Sequence, residues 1–284
     1  MTHHTTRPNC PPGHCTPATM VALGVALASA AATLALAATP LPAPLQALEK
    51  QGLSIVGTFP SPGGVTAYAA HMGTEPVALY LTADGKHVIA GTLLDANGKN
   101  LTTDALAKVL AKPMADAVWG QLEKSHWIAD GREGAPRTVY VFTDPNCPYC
   151  NKLWADARPW VDAGKVQLRH VMVGILTPTS AGKAAALLSA KDPAAAMDAY
   201  ERGHMASNAK TLASGRPKPL GDDGLKPLET VPPALAAQLD ANAKLMASYG
   251  LRATPALVWK DARGGVQMRQ GAPEADLAVI FGPR

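Results

Sequence analysis

The 284-residue chain sets 26 Lys and Arg against 22 Asp and Glu, and its formal net charge of +4 is too small to point to a nucleic-acid partner. That length exceeds what one small domain needs, so more than one folding unit is expected. Its four cysteines are Cys10, Cys15, Cys147 and Cys150.

Residues 1–38 hold no acid and one base, Arg7, and an Ala/Leu/Val-rich run from Met20 to Ala38 precedes Thr39-Pro40-Leu41-Pro42. This pattern predicts a secretory signal peptide over residues 1–37, with Ala35-Leu36-Ala37 as the small-x-small cleavage site. An uncleaved anchor is the competing reading, because the apolar run approaches spanning length, but its alanine content makes a weak span. His3, His4, Cys10, His14 and Cys15 would leave with the peptide, so no metal site is built on them. Cleavage would leave Cys147 and Cys150 as the only thiols, in a chain bound for an oxidising compartment. Losing Arg7 takes the charge from +4 to +3.

Residues 38–102 read as an N-terminal domain. A short helix around Leu45 and Leu48 is followed by strands at Leu53 to Phe59, Val65 to Ala70, Val77 to Thr82 and His87 to Leu94. Ser61-Pro62-Gly63-Gly64, Asp84-Gly85 and Asn97-Gly98 supply the turns. So thin a core usually needs a partner, which makes dimerisation the economical expectation; packing on the rest of its own chain is the alternative.

Residues 103–130 turn to a helical pattern. Leu106, Val109, Leu110, Met114, Val118, Leu122 and Ile128 recur at three- and four-residue steps, with Thr102 or Thr103 as a cap. Pro113 is expected to break or kink this linker helix. His126 is read as a satisfied interface residue rather than a proton shuttle.

Residues 131–284 carry the chemistry. A β-branched run, Thr138 to Phe142, ends at Thr143-Asp144-Pro145, and a helix-forming segment begins at the first cysteine of Cys147-Pro148-Tyr149-Cys150. Unpaired N–H groups and the positive end of the helix dipole favour an anion there, so Cys147 should ionise readily. Cys150 lies one turn on, where it can close a ring with Cys147, and Pro148 suits the first helical position. A zinc site lacks further ligands, and c-type haem attachment fails because Asn151 stands where His is required. A ring this small restrains the unfolded chain little, which suits a labile, redox-active bond.

Arg158-Pro159-Trp160 and Gly164 are expected to close the helix, and Val166 to Ile175 to form a second strand. An alanine-rich insertion over about 180–249 follows, interrupted at Asp192-Pro193, at the Pro/Gly loop 215–221 and at Pro232-Pro233; that loop is expected to be its least ordered part. Met197, Met205 and Met246 are read as core fillers rather than a peptide-binding face. Thr254-Pro255 precedes a strand through Trp259, then come a turn at Asp261 to Gly265, a strand at Val266 to Gln270 and a helix at Pro273 to Phe281. This order resembles a thioredoxin fold with an insertion after its second strand.

From Leu41 onward the chain resembles the DsbC/DsbG disulfide-isomerase family. The resemblance is carried by Leu48-Glu49-Lys50-Gln51-Gly52, Tyr80-Leu81-Thr82, Ser125-His126-Trp127, Asp144-Pro145 with Cys147-Pro148-Tyr149-Cys150, Ala157 to Asp162, Gly164 to Arg169, Ala190 to Ala194 and Thr254-Pro255-Ala256. Pro-Tyr between the cysteines favours one branch of the family, the other carrying Gly-Tyr. The matches thin out between Gly215 and Val231 and after Trp259.

The resemblance implies an α+β chain: a thioredoxin-fold catalytic domain with a helical insertion, behind a cystatin-like dimerisation domain and a linker helix. It further implies a V-shaped periplasmic homodimer without cofactor or metal, with Cys147 and Cys150 catalytic. Pro148, Tyr149, Thr254 and a cis Pro255 would support the site and receive the backbone of a client. Exported proteins with oxidised cysteines would be the clients and a DsbD-type membrane reductase the electron source. Sulfenic-acid or disulfide reduction, isomerisation with a chaperone-like holding role, and dithiol oxidation are the activities open to such a pair. Thioredoxin itself has a buried acid six residues before its first cysteine, where this chain has Val141, so no proton relay is expected through that position.

Overall fold

The computed structural model describes Met1 and residues 40–284; the expected leader and its His and Cys residues lie outside the described residues. Near the N-terminus, Leu45 anchors helix α1 (Ala43–Lys50) on a four-stranded antiparallel meander, β1 (Ser54–Phe59), β2 (Thr66–Met72), β3 (Glu75–Leu81) and β4 (Val88–Ala90). The fourth strand is shorter than expected, and Leu94 makes only an isolated bridge with Asn100. One face of the sheet packs through Ala70 and Leu79 on α1; the other packs through Phe59, Ala67, Ala69, Ala78 and Tyr80 on Leu106 and Leu110 of the next helix.

That helix, α2 (Thr103–Glu123), runs through Pro113 without a break. Its first half buries Leu106 and Leu110 in the N-terminal core, and its second half buries Val118 and Leu122 in the core of the C-terminal sheet. Four such side chains, at about 1.5–3 kcal/mol each, outweigh the roughly 3 kcal/mol that an interior proline costs. Thr102 is the N-cap residue but its hydroxyl caps nothing; it pairs with the Tyr80 hydroxyl and accepts the Leu93 N–H at 2.7 Å. Asn100 Oδ1 takes over the capping role, accepting the N–H groups of Thr102 and Thr103 at 2.8 and 3.0 Å.

The linker helix stops earlier than its apolar spacing indicates. Residues Trp127–Asp130 form a strand, β5, antiparallel to β7, because Ile128 reaches the core by joining the sheet rather than by continuing the helix. His126 is exposed, and its backbone is clamped by Asn242 on both sides, N–H to Oδ1 at 3.2 Å and carbonyl to Nδ2 at 2.8 Å.

The C-terminal sheet has the order β5-β7-β6-β8-β9, with β6 (Arg137–Thr143), β7 (Val166–Met172), β8 (Ala256–Lys260) and β9 (Val266–Gln270). Only β6 and β7 pair in parallel, joined by α3 (Pro148–Val161). Pro159 sits inside the last turn of α3 rather than ending it. Val139 and Val141 pack on α3 and the terminal helix α7 (Leu277–Phe281), while Tyr140 and Phe142 pack on α2 and α6 (Pro233–Ser248). The insertion supplies α4 (Ser180–Leu188), α5 (Pro193–Ala213) and α6; Met197 and Met246 are buried there and Met205 is half-buried. Residues 41–284 form one compact unit.

Candidate active site

Where β6 ends, Asp144-Pro145-Asn146 turns the chain so that Cys147 becomes the N-cap of α3, with φ −80° and ψ 113°. Asp144 shapes this turn. Its Oδ1 accepts the Asn146 N–H and the Ser180 hydroxyl, each at 2.8 Å, and its Oδ2 accepts the N–H groups of Ile175 and Leu176 at 2.8 and 3.0 Å. Pro148 takes the first helical position, where its missing N–H leaves no gap. The Cys147 sulfur accepts the Cys150 N–H at 3.2 Å, a helix-end donor that it shares with the Cys147 carbonyl at 3.1 Å.

The Thr254–Pro255 peptide is cis and brings the Thr254 carbonyl to 3.4 Å from Cys147 Sγ, within reach of that thiol's proton. Thr254 Oγ1 is buried and has no hydrogen-bond partner among the described residues, which leaves its proton free for a thiolate. Tyr149 is half exposed at the rim, and a groove of about 490 Å³ runs from it past Leu153, Thr254 and Pro255 to Gln270 and Ala272.

Both thiols are nearly closed to solvent, 2% and 3% exposed, and Cys150 is the more deeply enclosed of the two. The Cys150 thiol, donating to Cys147, lowers the Cys147 pKa most; burial opposes it, while the Thr254 side chain and the N–H groups of Cys150 and Tyr149 lower it further. Cys150 is pushed the other way by its own burial and then by the anion it faces. The first cysteine is thus the more acidic of the two.

Behind this pair lies a polar lining that the sequence reading did not single out. Lys183 is fully buried; its Nζ donates to Asn146 Oδ1 at 2.7 Å, Tyr200 OH at 3.2 Å and the Leu220 carbonyl at 3.1 Å, and pairs with Asp222 at 2.9 Å. Asn146 Nδ2 donates to the hydroxyls of Thr177 and Thr179 at 2.6 and 2.9 Å. The Leu220 N–H donates to the Asn146 carbonyl at 3.1 Å. The Pro/Gly loop, expected to be the loosest part of the insertion, is therefore tied at its end to the residue before Cys147. A further tie follows at Gly182, whose carbonyl accepts the Leu228 N–H at 3.1 Å; any Cβ at 182 would stand 2.6 Å from the Leu228 oxygen.

On the other side of α3, Arg158 pairs with Asp130 and stacks on Trp154, 3.9 Å from the ring centre. Asp130 also meets His170 Nε2 at 3.4 Å, and His170 Nδ1 lies 3.0 Å from the Thr143 hydroxyl. Burial pushes the Asp130 pKa up, but the hydrogen bonds from His170 and Arg158 win and hold it at about 2. Val141 is fully buried in an apolar setting, as its side chain requires, and α5 brings a buried acid, Glu201, 2% exposed, to the cysteine helix, where it accepts from Asn151.

A dithiol of unequal acidity at a strand-to-helix turn, facing a cis-proline across the sheet, defines a thioredoxin-fold thiol:disulfide oxidoreductase. Residues 129–279 match the thioredoxin-like domain family, and residues 28–103 match the disulfide bond isomerase protein N-terminal domain. The chain is 47% identical to the thiol:disulfide interchange protein DsbG of Pseudomonas aeruginosa over 269 residues, 94% of this chain and 99% of that protein. Against DsbG of Escherichia coli K12 the identity is 40% over 243 residues, covering 85% and 92%. With DsbC of Escherichia coli K12 it is 32% over 112 residues, covering 38% and 42%. The chain belongs to the DsbG family of thiol:disulfide interchange proteins.

Proposed function

We propose that Cys147 and Cys150 form a reducing pair for the oxidised cysteines of exported proteins, and the observation that carries this reading is the placement of Cys147 at the N-cap of α3, with Cys150 one turn behind it and the cis Thr254–Pro255 peptide facing it. The Cys147 thiolate attacks the client sulfur. From a sulfenic acid it displaces hydroxide, and from a non-native disulfide it displaces a thiolate; either way a mixed disulfide forms. Cys150 then loses its proton and attacks Cys147 Sγ, which releases the client as a thiolate and closes the Cys147–Cys150 disulfide. Two electrons have passed to the client, and a DsbD-type membrane reductase returns them.

Pro148 and Tyr149 shape the rim, and the backbone beside Thr254 and Pro255 receives the client in β fashion. Apolar exposure fits clients that are partly folded: Tyr149, Ile175 and Leu176 are each about half exposed, the last two on the backbone that Asp144 fixes. The same rim supports a second reading, isomerisation with a holding role. A Cys150→Ala variant, which stops at the mixed disulfide, tests the two: captured clients with one cysteine support sulfenic-acid repair, and clients with several support isomerisation. Client aggregation that Cys147→Ala suppresses as well as the parent would add a thiol-independent holding role.

The N-terminal sheet is the proposed dimer contact. Ile89 on the edge strand β4 and Leu94 just beyond it are more than half exposed, as a sheet awaiting a partner would leave them. Sedimentation of the mature protein gives the test, a monomer at micromolar concentration being the refuting result. The proposed compartment is the periplasm, reached through residues 1–37. Among the described residues no helix is long and apolar enough to cross a membrane. Cell fractionation tests the placement.

A further inference from the structure

Helix α5 turns a polar face toward the cysteine helix. Glu201, His204 and Asn208 follow at three- and four-residue steps and all three are buried. Asn208 Nδ2 donates to the Pro148 carbonyl at 2.8 Å and to Asn151 Oδ1 at 2.9 Å. Asn151 Nδ2 donates in turn to the Glu201 carbonyl at 2.8 Å and to Glu201 Oε2 at 2.7 Å. The first turn of α3 is thereby stapled to α5, and the staple ends on a carboxyl group that is almost wholly out of water.

Among the described residues no cation pairs with that carboxyl directly. Arg158 on α3 is committed to Asp130 of β5, Lys152 on α3 to Asp156, Arg202 on α5 to Asp198, and Lys183 of α4 to Asp222. His204, next along the polar face, bonds the Tyr200 carbonyl through Nδ1, and its Nε2 has no partner among the described residues. A buried carboxylate without a cation costs several kcal/mol, so such a group keeps its proton where it can. Burial pushes the Glu201 pKa up to about 7; the Asn151 bond pulls it down, the Cys147 and Asp130 charges raise it and Arg158 lowers it. The Cys147 contribution exists only while that sulfur is an anion.

We propose that Glu201 is a redox-linked proton site, a positioning residue that takes up a proton when the Cys147/Cys150 pair is reduced and releases it when the pair closes as a disulfide. Reduction brings two electrons; the Cys150 sulfur gains one proton, the Cys147 sulfur remains an anion, and Glu201 gains the second proton. The oxidised site carries one negative charge, on Glu201, and the reduced site carries one, on Cys147. Net charge in the low-dielectric interior is constant, so neither redox state has to bury a second anion. Glu201 gives up its proton when Cys147 loses its charge in forming the mixed disulfide, and Cys150 gives up its own proton in the resolving step that follows.

This role rests on thiol exchange at the pair and is independent of which clients the pair serves. Its test is the equilibrium of the mature protein with dithiothreitol from about pH 5 to 8, where that reagent releases two protons on oxidation. A protein pair that takes up one proton gives an equilibrium constant rising tenfold per pH unit. The parent protein is expected to flatten toward no slope around neutral pH, where Glu201 takes up the second proton, and Glu201→Gln to keep the tenfold rise throughout. Equal slopes in the two proteins overturn the role. A protein inert to dithiothreitol would overturn the thiol reading itself. Should E201Q misfold, the reduced-minus-oxidised infrared difference spectrum of the parent decides: a protonated-carboxyl band gained on reduction near neutral pH supports the role, and its absence refutes it.

Discussion

Replacing Thr254 by valine isolates one contribution to the acidity of Cys147. The hydroxyl of Thr254 is buried and has no partner among the described residues, so valine removes none of the hydrogen bonds seen there in the thiol form. What it removes is a donor to the thiolate, and a hydrogen bond to a charged acceptor contributes about 1.5–3 kcal/mol. At about 1.4 kcal/mol per factor of ten, the thiolate population below its titration point should fall roughly ten- to a hundredfold. Thiolate absorbance through a pH titration of the reduced protein measures this, and the alkylation rate at fixed pH should fall in step. The sign on stability follows. A thiol acidified by folding stabilises the reduced protein fully above its ordinary value of 9.0, and this is lost as pH falls through the lowered value. Thr254→Val should therefore shrink the stability margin of the reduced form on the alkaline side and leave the oxidised form unchanged. An unaltered titration, or equal losses in both redox forms, would refute the assignment of that hydroxyl.

Lys183→Met leaves Asn146, the Leu220 carbonyl and Tyr200 without their shared cation, and breaking a buried pair of this kind costs about 3–5 kcal/mol, or roughly 6–20 °C in Tm for a chain this long; Asp222→Asn, at a half-exposed partner, should cost less than about 1 kcal/mol. Asp130, held at about 2, stabilises fully above 3.8 and loses its contribution of about 2 kcal/mol as pH falls toward the lower value; acid titration of Asp130→Asn should lack that limb. Asn100→Ala removes the cap of α2 and should lower stability by about 1 kcal/mol in urea unfolding, whereas Thr103→Ala should change little.

The cysteine turn was legible because its determinants are local. Cys147, Pro148 and the strand before them are contiguous, and a helix end acts on whatever stands at its cap. The polar lining was not legible, for two reasons. Lys183 sits in an alanine-rich run where lysine ordinarily faces water, and its acceptors are backbone carbonyls some forty residues later. Glu201 and Asn208 act on Asn151 across fifty and 57 residues, and their spacing on a helix of alternating small and polar residues carries no apolar stripe. Residues 127–130 were misread for the opposite reason: Ile128 prolongs a real helical period, and only pairing with β7 shows that the chain has changed element. The cap of α2 was expected at Thr102 or Thr103, but Tyr80 claims the Thr102 hydroxyl and Asn100, two residues earlier, caps instead.

Because α2 contributes Leu106 and Leu110 to one hydrophobic cluster and Val118 and Leu122 to another, with the same unbroken backbone passing Pro113, the two halves share a structural member. Melting either end strips a wall from the other. Damage far from the thiols, in the meander, should then register as faster hydrogen exchange in the sheet that carries them, and heating should give one joint transition where a jointed linker would give two.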